Sequence, residues 1–114
     1  IINKYKKKIL KMYLNLTDKT VNEALNNSGI TILCFKTNWC GPCKVYGPLL
    51  KEFSDENPSV TIGVIDVDAN PVISSRHGIR SIPTTVIFQN GQLITKVPGV
   101  IAKKKLKEFV DNLG

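Results

Sequence analysis

The strongest pattern in this chain is a near-continuous apolar run over residues 30–36, Ile-Thr-Ile-Leu-Cys-Phe-Lys, rich in β-branched side chains. Such a run predicts a strand covered on both faces. Residues 60–66 have the same character and predict a second buried strand, and residues 11–16 alternate roughly and predict a short first strand. Residues 84–89 and 93–97 predict two more, joined across Asn90-Gly91, the strongest short hairpin signal. Helices fill the intervals. Thr17 or Asp18 can cap one that runs to Leu25, with Thr20 and Glu23 at capping-box spacing and residues 26–29 ending it. A longer helix is predicted from about Gly41 to Glu56, kinked at Pro48 and broken by Asn57-Pro58. Residues 71–77 predict a short helix with Pro71 in its first turn. The last segment carries Ile101 and places Leu106, Phe109, Val110 and Leu113 on one apolar stripe. The order βαβαβαββα predicts an α/β fold, a mixed sheet with helices on both faces. Ligand and catalytic sites in such sheets gather at the carboxyl ends of the strands.

One motif lies at such an end. Residues 39–44 read Trp39-Cys40-Gly41-Pro42-Cys43-Lys44, directly after the first buried strand. Two thiols separated by two residues can close a small reversible disulfide, and a C-x-x-C in a βαβ context reads as a redox motif. A thiolate, not a thiol, attacks a disulfide. Cys40 is expected at a helix start, where unpaired N–H groups and the dipole favour negative charge. Pro42 fits early in that helix because its missing N–H would have no partner there. Lys44 adds a nearby positive charge. Cys40, N-terminal and expected to be the more exposed, is the candidate nucleophile. Cys43, one turn inside, is the candidate resolving thiol, and Trp39 is expected to cover one side. The competing reading is a zinc or iron–sulfur ligand pair. Zinc usually takes four ligands, and only Cys34 and His77 could join, at no recognised spacing, so no metal is expected. His77 reads as a surface or capping residue, and Asp66 and Asp68 as strand-end turn chemistry rather than a metal site.

Composition narrows the picture. The 114 residues suit one domain with one core. Three cysteines are an odd count and a poor disulfide scaffold, which favours a reducing compartment and one reactive pair. No apolar run approaches a membrane span. The net charge of +7 suggests nucleic acid until it is located: without the five lysines of residues 1–11 only +2 remains. Lys103, Lys104, Lys105 and Lys107 form a second cluster with no interleaved aromatics to stack bases, and read as a solvated face. Residues 1–11 thus form a basic N-terminal extension and residues 12–114 the domain. The extension reads as added or upstream-translated sequence, as the remnant of a processed targeting segment, or as a basic arm. The first is favoured because a domain can begin near Met12, and no signal-peptide pattern is present.

With these residues in view the chain resembles the thioredoxin family over residues 12–114. The resemblance rests on Phe35, the hexapeptide, Pro48, Asp66, Ile82-Pro83-Thr84, Asn90-Gly91 and Gly99. It implies the thioredoxin fold, a central mixed sheet of about five strands flanked by four helices. It implies a protein-disulfide reductase that cycles a Cys40–Cys43 disulfide, needs no bound prosthetic group, and acts as a monomer in the cytoplasm. A stromal or other organellar location applies instead if residues 1–11 are a targeting remnant. It implies protein disulfide substrates and a reductase donor such as thioredoxin reductase, with neither nucleic acid nor membrane as partner. It further implies a cis Ile82-Pro83 bond facing the cysteines. The loop would receive substrate backbone, within a flat apolar surface of Trp39, Gly41, Pro42, Ile82, Pro83, Pro98, Gly99 and Val100. On sequence alone Pro83 is an ordinary strand-start proline.

Three departures stand out. Cys34 occupies the position of the family's usual buried aspartate, six residues before Cys40, and Val64 that of a neighbouring lysine. Loss of both together avoids an unpaired buried charge, and leaves Cys43 to lose its proton to water or to the departing thiolate. Cys34 reads either as a small buried hydrophobe or as a third redox thiol behind Cys43. Lys36 replaces an aromatic residue and puts a charge near the site. Two other functions remain open at this point: an oxidase or isomerase on the same fold, which the Gly41-Pro42 dipeptide disfavours, and a scaffold subunit that docks without turnover.

Overall fold

The structure, a computed structural model, describes residues 13–26 and 28–113. The basic extension and the first two residues of the predicted first strand lie outside the described residues. Among the described residues there are five strands, β1 (Tyr13–Leu16), β2 (Ile30–Lys36), β3 (Thr61–Asp66), β4 (Thr84–Gln89) and β5 (Gln92–Pro98). Four helices accompany them, α1 (Val21–Leu25), α2 (Gly41–Glu56), α3 (Pro71–Arg76) and α4 (Lys103–Leu113). The sheet order is β1-β3-β2-β4-β5. β1 and β2 run parallel to β3, while β4 runs antiparallel to β2 and β5 to β4.

β2 shows why the sheet is covered on both sides. Its side chains alternate between faces with period two. Ile32 and Cys34 join one cluster with Tyr46, Leu50 and Phe53 of α2 and Leu106 of α4. Leu33 and Phe35 join the other with Val21 and Ala24 of α1 and Ile73 of α3. Phe109, Val110 and Leu113 pack against the first cluster, so the apolar stripe of α4 faces the sheet as its spacing predicts. Gly63 on β3 sits so close to Leu16 and Leu33 that a Cβ there would run into the Leu16 side chain. The hairpin is a two-residue loop with positive φ at both Asn90 and Gly91, the pattern of a type I′ turn. Asn90 also donates its N–H to the Gly29 carbonyl and accepts the Gly29 N–H on its Oδ1, which pins the hairpin to the start of β2.

Two local expectations change. Thr20 is the N-cap residue of α1, but its hydroxyl makes no cap and no capping box with Glu23 forms. Its Oγ1 accepts the Thr17 N–H instead, at 2.9 Å. Asp18 caps a helix, though not its own: its carboxylate takes the N–H groups of Val72 and Ile73 at the start of α3. Two orphan donors are thereby satisfied from more than fifty residues away. α2 runs from Gly41 to Glu56 through Pro48, whose ring is exposed and which lacks only the hydrogen bond to the carbonyl one turn earlier.

Candidate functional site

β2 ends at Lys36, and the chain turns through Thr37–Trp39 before α2 begins. Cys40 is the N-cap of α2, in an extended conformation with φ −82° and ψ 116°. Its Sγ accepts the Cys43 N–H at 3.2 Å, one of the helix's orphan donors. Cys40 and Cys43 are joined by a disulfide, with their Cα atoms 5.2 Å apart. The sulfur at the head of α2 therefore faces the positive end of a sixteen-residue helix, an arrangement that favours a thiolate when the bond is reduced.

Exposure does not separate the two cysteines as the sequence suggested. In the disulfide form Cys40 is 4% exposed and Cys43 8%, because the closed bridge and its turn shield both. What distinguishes them is position: Cys40 is at the cap, Cys43 one turn inside. Gly41, Pro42 and Lys44 are exposed around them. Trp39 is 70% exposed, and its indole Nε1 donates to Asp68 Oδ2 at 2.9 Å. That contact fixes the ring beside the motif, and no local signal announced it. Asp66 does supply the expected turn chemistry, accepting the Asp68 N–H.

The loop before β4 lies alongside, since Phe35 near the end of β2 pairs with Thr84. The Ile82-Pro83 bond is cis. Pro83 is buried, and its carbonyl accepts the Gly99 N–H at 2.7 Å, which ties this loop to the end of β5. The N–H and C=O of Ile82 have no partner among the described residues. Pro98 and Val100 are exposed and Gly99 half-buried.

Behind Cys43 opens a cavity of about 400 Å³, with Tyr13, Cys34, Lys36, Thr37, Cys43 and Lys44 in its wall. Cys34 is buried in β2, and burial pushes its thiol up to about 12, against a weaker opposing pull from Lys36. It is therefore protonated at neutral pH and inert as a nucleophile. The Lys36 ammonium is held by Asn38 Oδ1 at 2.9 Å. Thr37 Oγ1 is buried without a hydrogen-bond partner among the described residues. Next to Cys34, the buried Tyr46 hydroxyl and Thr85 Oγ1 are 2.6 Å apart, a polar pair inside the core that sequence reasoning missed. Its only signal was the placement of Tyr46 one turn beyond Cys43.

Cys34 and His77, the two residues available to complete a metal set, lie on opposite faces of the sheet. The His77 ring sits between Phe35 and Phe88, at 5.9 Å and 5.6 Å between centroids, on the α1 and α3 side. It is a half-buried aromatic neighbour as well as the C-cap of α3. No group of three or more metal-ligating side chains occurs among the described residues. The basic start of α4 is largely paired: Lys103 with Glu52 and Glu56, Lys105 with Glu108, Lys107 with Asp111. No helix among the described residues is long and apolar enough to cross a membrane.

Comparison with known proteins agrees with this geometry. The family model described as Thioredoxin matches residues 12–112. A thioredoxin of Mycoplasmoides gallisepticum is 38% identical over 97 residues, covering 84% of this chain and 97% of that one. A thioredoxin of Buchnera aphidicola is 36% identical over 100 residues, covering 86% and 93%. A mutant thioredoxin from Halobacterium salinarum superimposes with a TM-score of 0.79 at 25% identity, covering 89% and 88%. Over nearly all of its described length, the chain thus belongs to the thioredoxin family, whose protein thiol–disulfide oxidoreductase chemistry its Cys40–Cys43 pair carries.

Proposed function

We propose that in this protein-disulfide reductase Cys40 attacks and Cys43 resolves. The observation that carries the reading is the Cys40 sulfur at the head of α2, bonded to Cys43 and accepting its N–H. In the reduced protein the Cys40 thiolate attacks one sulfur of a substrate disulfide. A mixed disulfide forms, and the departing substrate thiolate takes a proton. Cys43 then loses its proton and attacks Cys40 Sγ, which releases the second substrate thiol and leaves the Cys40–Cys43 disulfide. Two electrons have passed to the substrate, and a reductase donor returns them. Cys34, already protonated, does not take that proton; the proton passes to water reaching the cavity behind Cys43 or to the departing thiolate.

Substrate backbone is placed along Ile82-Pro83. The unpartnered N–H and C=O of Ile82 support this, being free for β-type hydrogen bonds. Exposed Trp39, Pro98 and Val100 supply apolar contact on either side, with Gly41, Pro42 and Gly99 allowing close approach. Lys44 adds positive charge beside the thiolate. The specific donor is a thioredoxin reductase, the protein works as a monomer, and its compartment is the reducing cytoplasm. Residues 12–114 are the working domain and residues 1–11 an extension to it.

A redox-buffer titration tests the reading, with free thiols alkylated and each cysteine located by mass spectrometry. A Cys40–Cys43 couple near about −270 mV supports a reductase, and a value near about −150 mV overturns it in favour of an oxidant. Reduction of insulin by dithiothreitol, with and without Cys40→Ser, separates a reductase from a scaffold: a scaffold activity would survive the substitution.

A further inference from the structure

Along α4 positive charge is mostly compensated by carboxylates. Beside Pro83 it is not. Arg76, Arg80 and Lys96 have no carboxylate partner among the described residues, and Arg80 makes no hydrogen bond there either. The Lys96 ammonium is held by the His77 carbonyl at 2.9 Å, which fixes its position and leaves two of its three donors unused. Arg80 has all five guanidinium donors free.

Arg80 and Lys96 share a cavity of about 380 Å³, walled by residues 78–81, Thr84, Lys96 and Pro98, with no acidic side chain among them. The His77 imidazole beside this wall is held below its ordinary value, first by burial and then by the charges of Arg76 and Lys96. The cavity adjoins the cis-proline loop. Thr84 follows Pro83 directly, Pro98 pairs with Thr84, and Gly99 donates to the Pro83 carbonyl. Arg80 lies three positions before Pro83, a span of at most about 11 Å. An extended peptide covers that distance in about three residues.

We infer that this cavity is a subsite for an acidic side chain of the disulfide substrate, within about three residues of the attacked cysteine, with Arg80 and Lys96 as its specificity-determining residues. The inference rests on the proposed placement of substrate along Ile82-Pro83. Its chemistry is a carboxylate meeting a free guanidinium fork and a pre-positioned ammonium.

The test uses the full chain and three disulfide-bonded peptides of one sequence, carrying Glu, Gln or Lys at the two positions flanking one cysteine. At low salt, kcat/KM for the Glu peptide should exceed that for the Gln peptide about fivefold, or ~1 kcal/mol, with the Lys peptide slowest. The Glu-to-Gln ratio should fall towards one in 0.5 M salt. It should also fall in Arg80→Gln and Lys96→Gln, furthest in the double variant. Arg80 is exposed and unpartnered, so its variant does not depend on refolding of the surroundings. Equal rates on the three peptides, or a preference that survives Arg80→Gln and Lys96→Gln together, overturn the subsite. Failure to reduce any peptide overturns the reductase reading itself, a separate result.

Discussion

The three cysteines of this chain lie within ten residues of one another, yet they occupy two opposite environments. Cys34 points from the middle of a fully covered strand into an apolar cluster, and its thiol is pushed up to about 12. Cys40 and Cys43 lie just past the strand end, where helix N–H groups converge on sulfur. Both sets are low in exposure, so burial alone does not decide reactivity. What differs is whether the surroundings offer anything to a negative charge. Strand backbone groups are consumed by neighbouring strands, whereas the first turn of a helix has donors to spare.

The largest effect expected from that contrast is kinetic. In the reduced protein at pH 8, Cys34 should be ionised in about one molecule in ten thousand, so iodoacetamide should label Cys40 and leave Cys34 untouched until the protein is unfolded. Mass-spectrometric mapping checks this, and native-state labelling of Cys34 at a comparable rate would erase the distinction. Next comes turnover: Cys40→Ser should lower disulfide reduction by about a thousandfold or more, whereas Cys34→Ala should change it less than about twofold. A matching loss in Cys34→Ala would make the strand cysteine part of the mechanism. Cys43→Ser should accumulate a mixed disulfide with substrate, visible as an added mass.

The contrast sharpens with a charge. Cys34→Asp places a carboxylate on the buried face of β2, where its β3 partner is Val64 rather than a cation. Urea unfolding at pH 7 should show a loss of about 3 kcal/mol, against about 1 kcal/mol for Cys34→Ala. Undiminished stability would mean that Lys36 reaches across the cavity to the carboxylate and that the strand is less insulated than described. The smallest effect concerns the other face. The folded pKa of His77 lies below its ordinary 6.5, chiefly through burial. As pH falls below 6.5 the unfolded chain therefore binds the proton first, and stability present above that pH is lost towards the depressed folded value. His77→Gln should flatten the decline in melting temperature between pH 7 and 5. An unchanged slope would show that the imidazole titrates alike in both states.

Local patterns were readable because they are properties of neighbouring residues. The apolar runs and helical repeats predicted the order of all nine elements, with the first helix starting at Val21, two or three residues later than a Thr17 or Asp18 cap implies. The positive φ values at Asn90 and Gly91 follow from the side chains there, and the C-x-x-C motif carried the chemistry. The capping of α1 shows where such reading stops. Thr20 and Glu23 have the right spacing, but Thr17 takes the Thr20 hydroxyl first, and Asp18 is drawn to α3.

By itself, then, the sequence determined the order of strands and helices, the hairpin, and the position of the cysteine pair at a strand end, because each follows from backbone geometry over a few residues. The tertiary structure alone decided that Trp39 is tethered by Asp68, that His77 lies between Phe35 and Phe88, that Tyr46 meets Thr85, and that Arg80 and Lys96 share one cavity beside Pro83. Those contacts join residues 11 to 42 positions apart. They exist only once the register of the sheet and the packing of helices on its two faces have brought the side chains within reach.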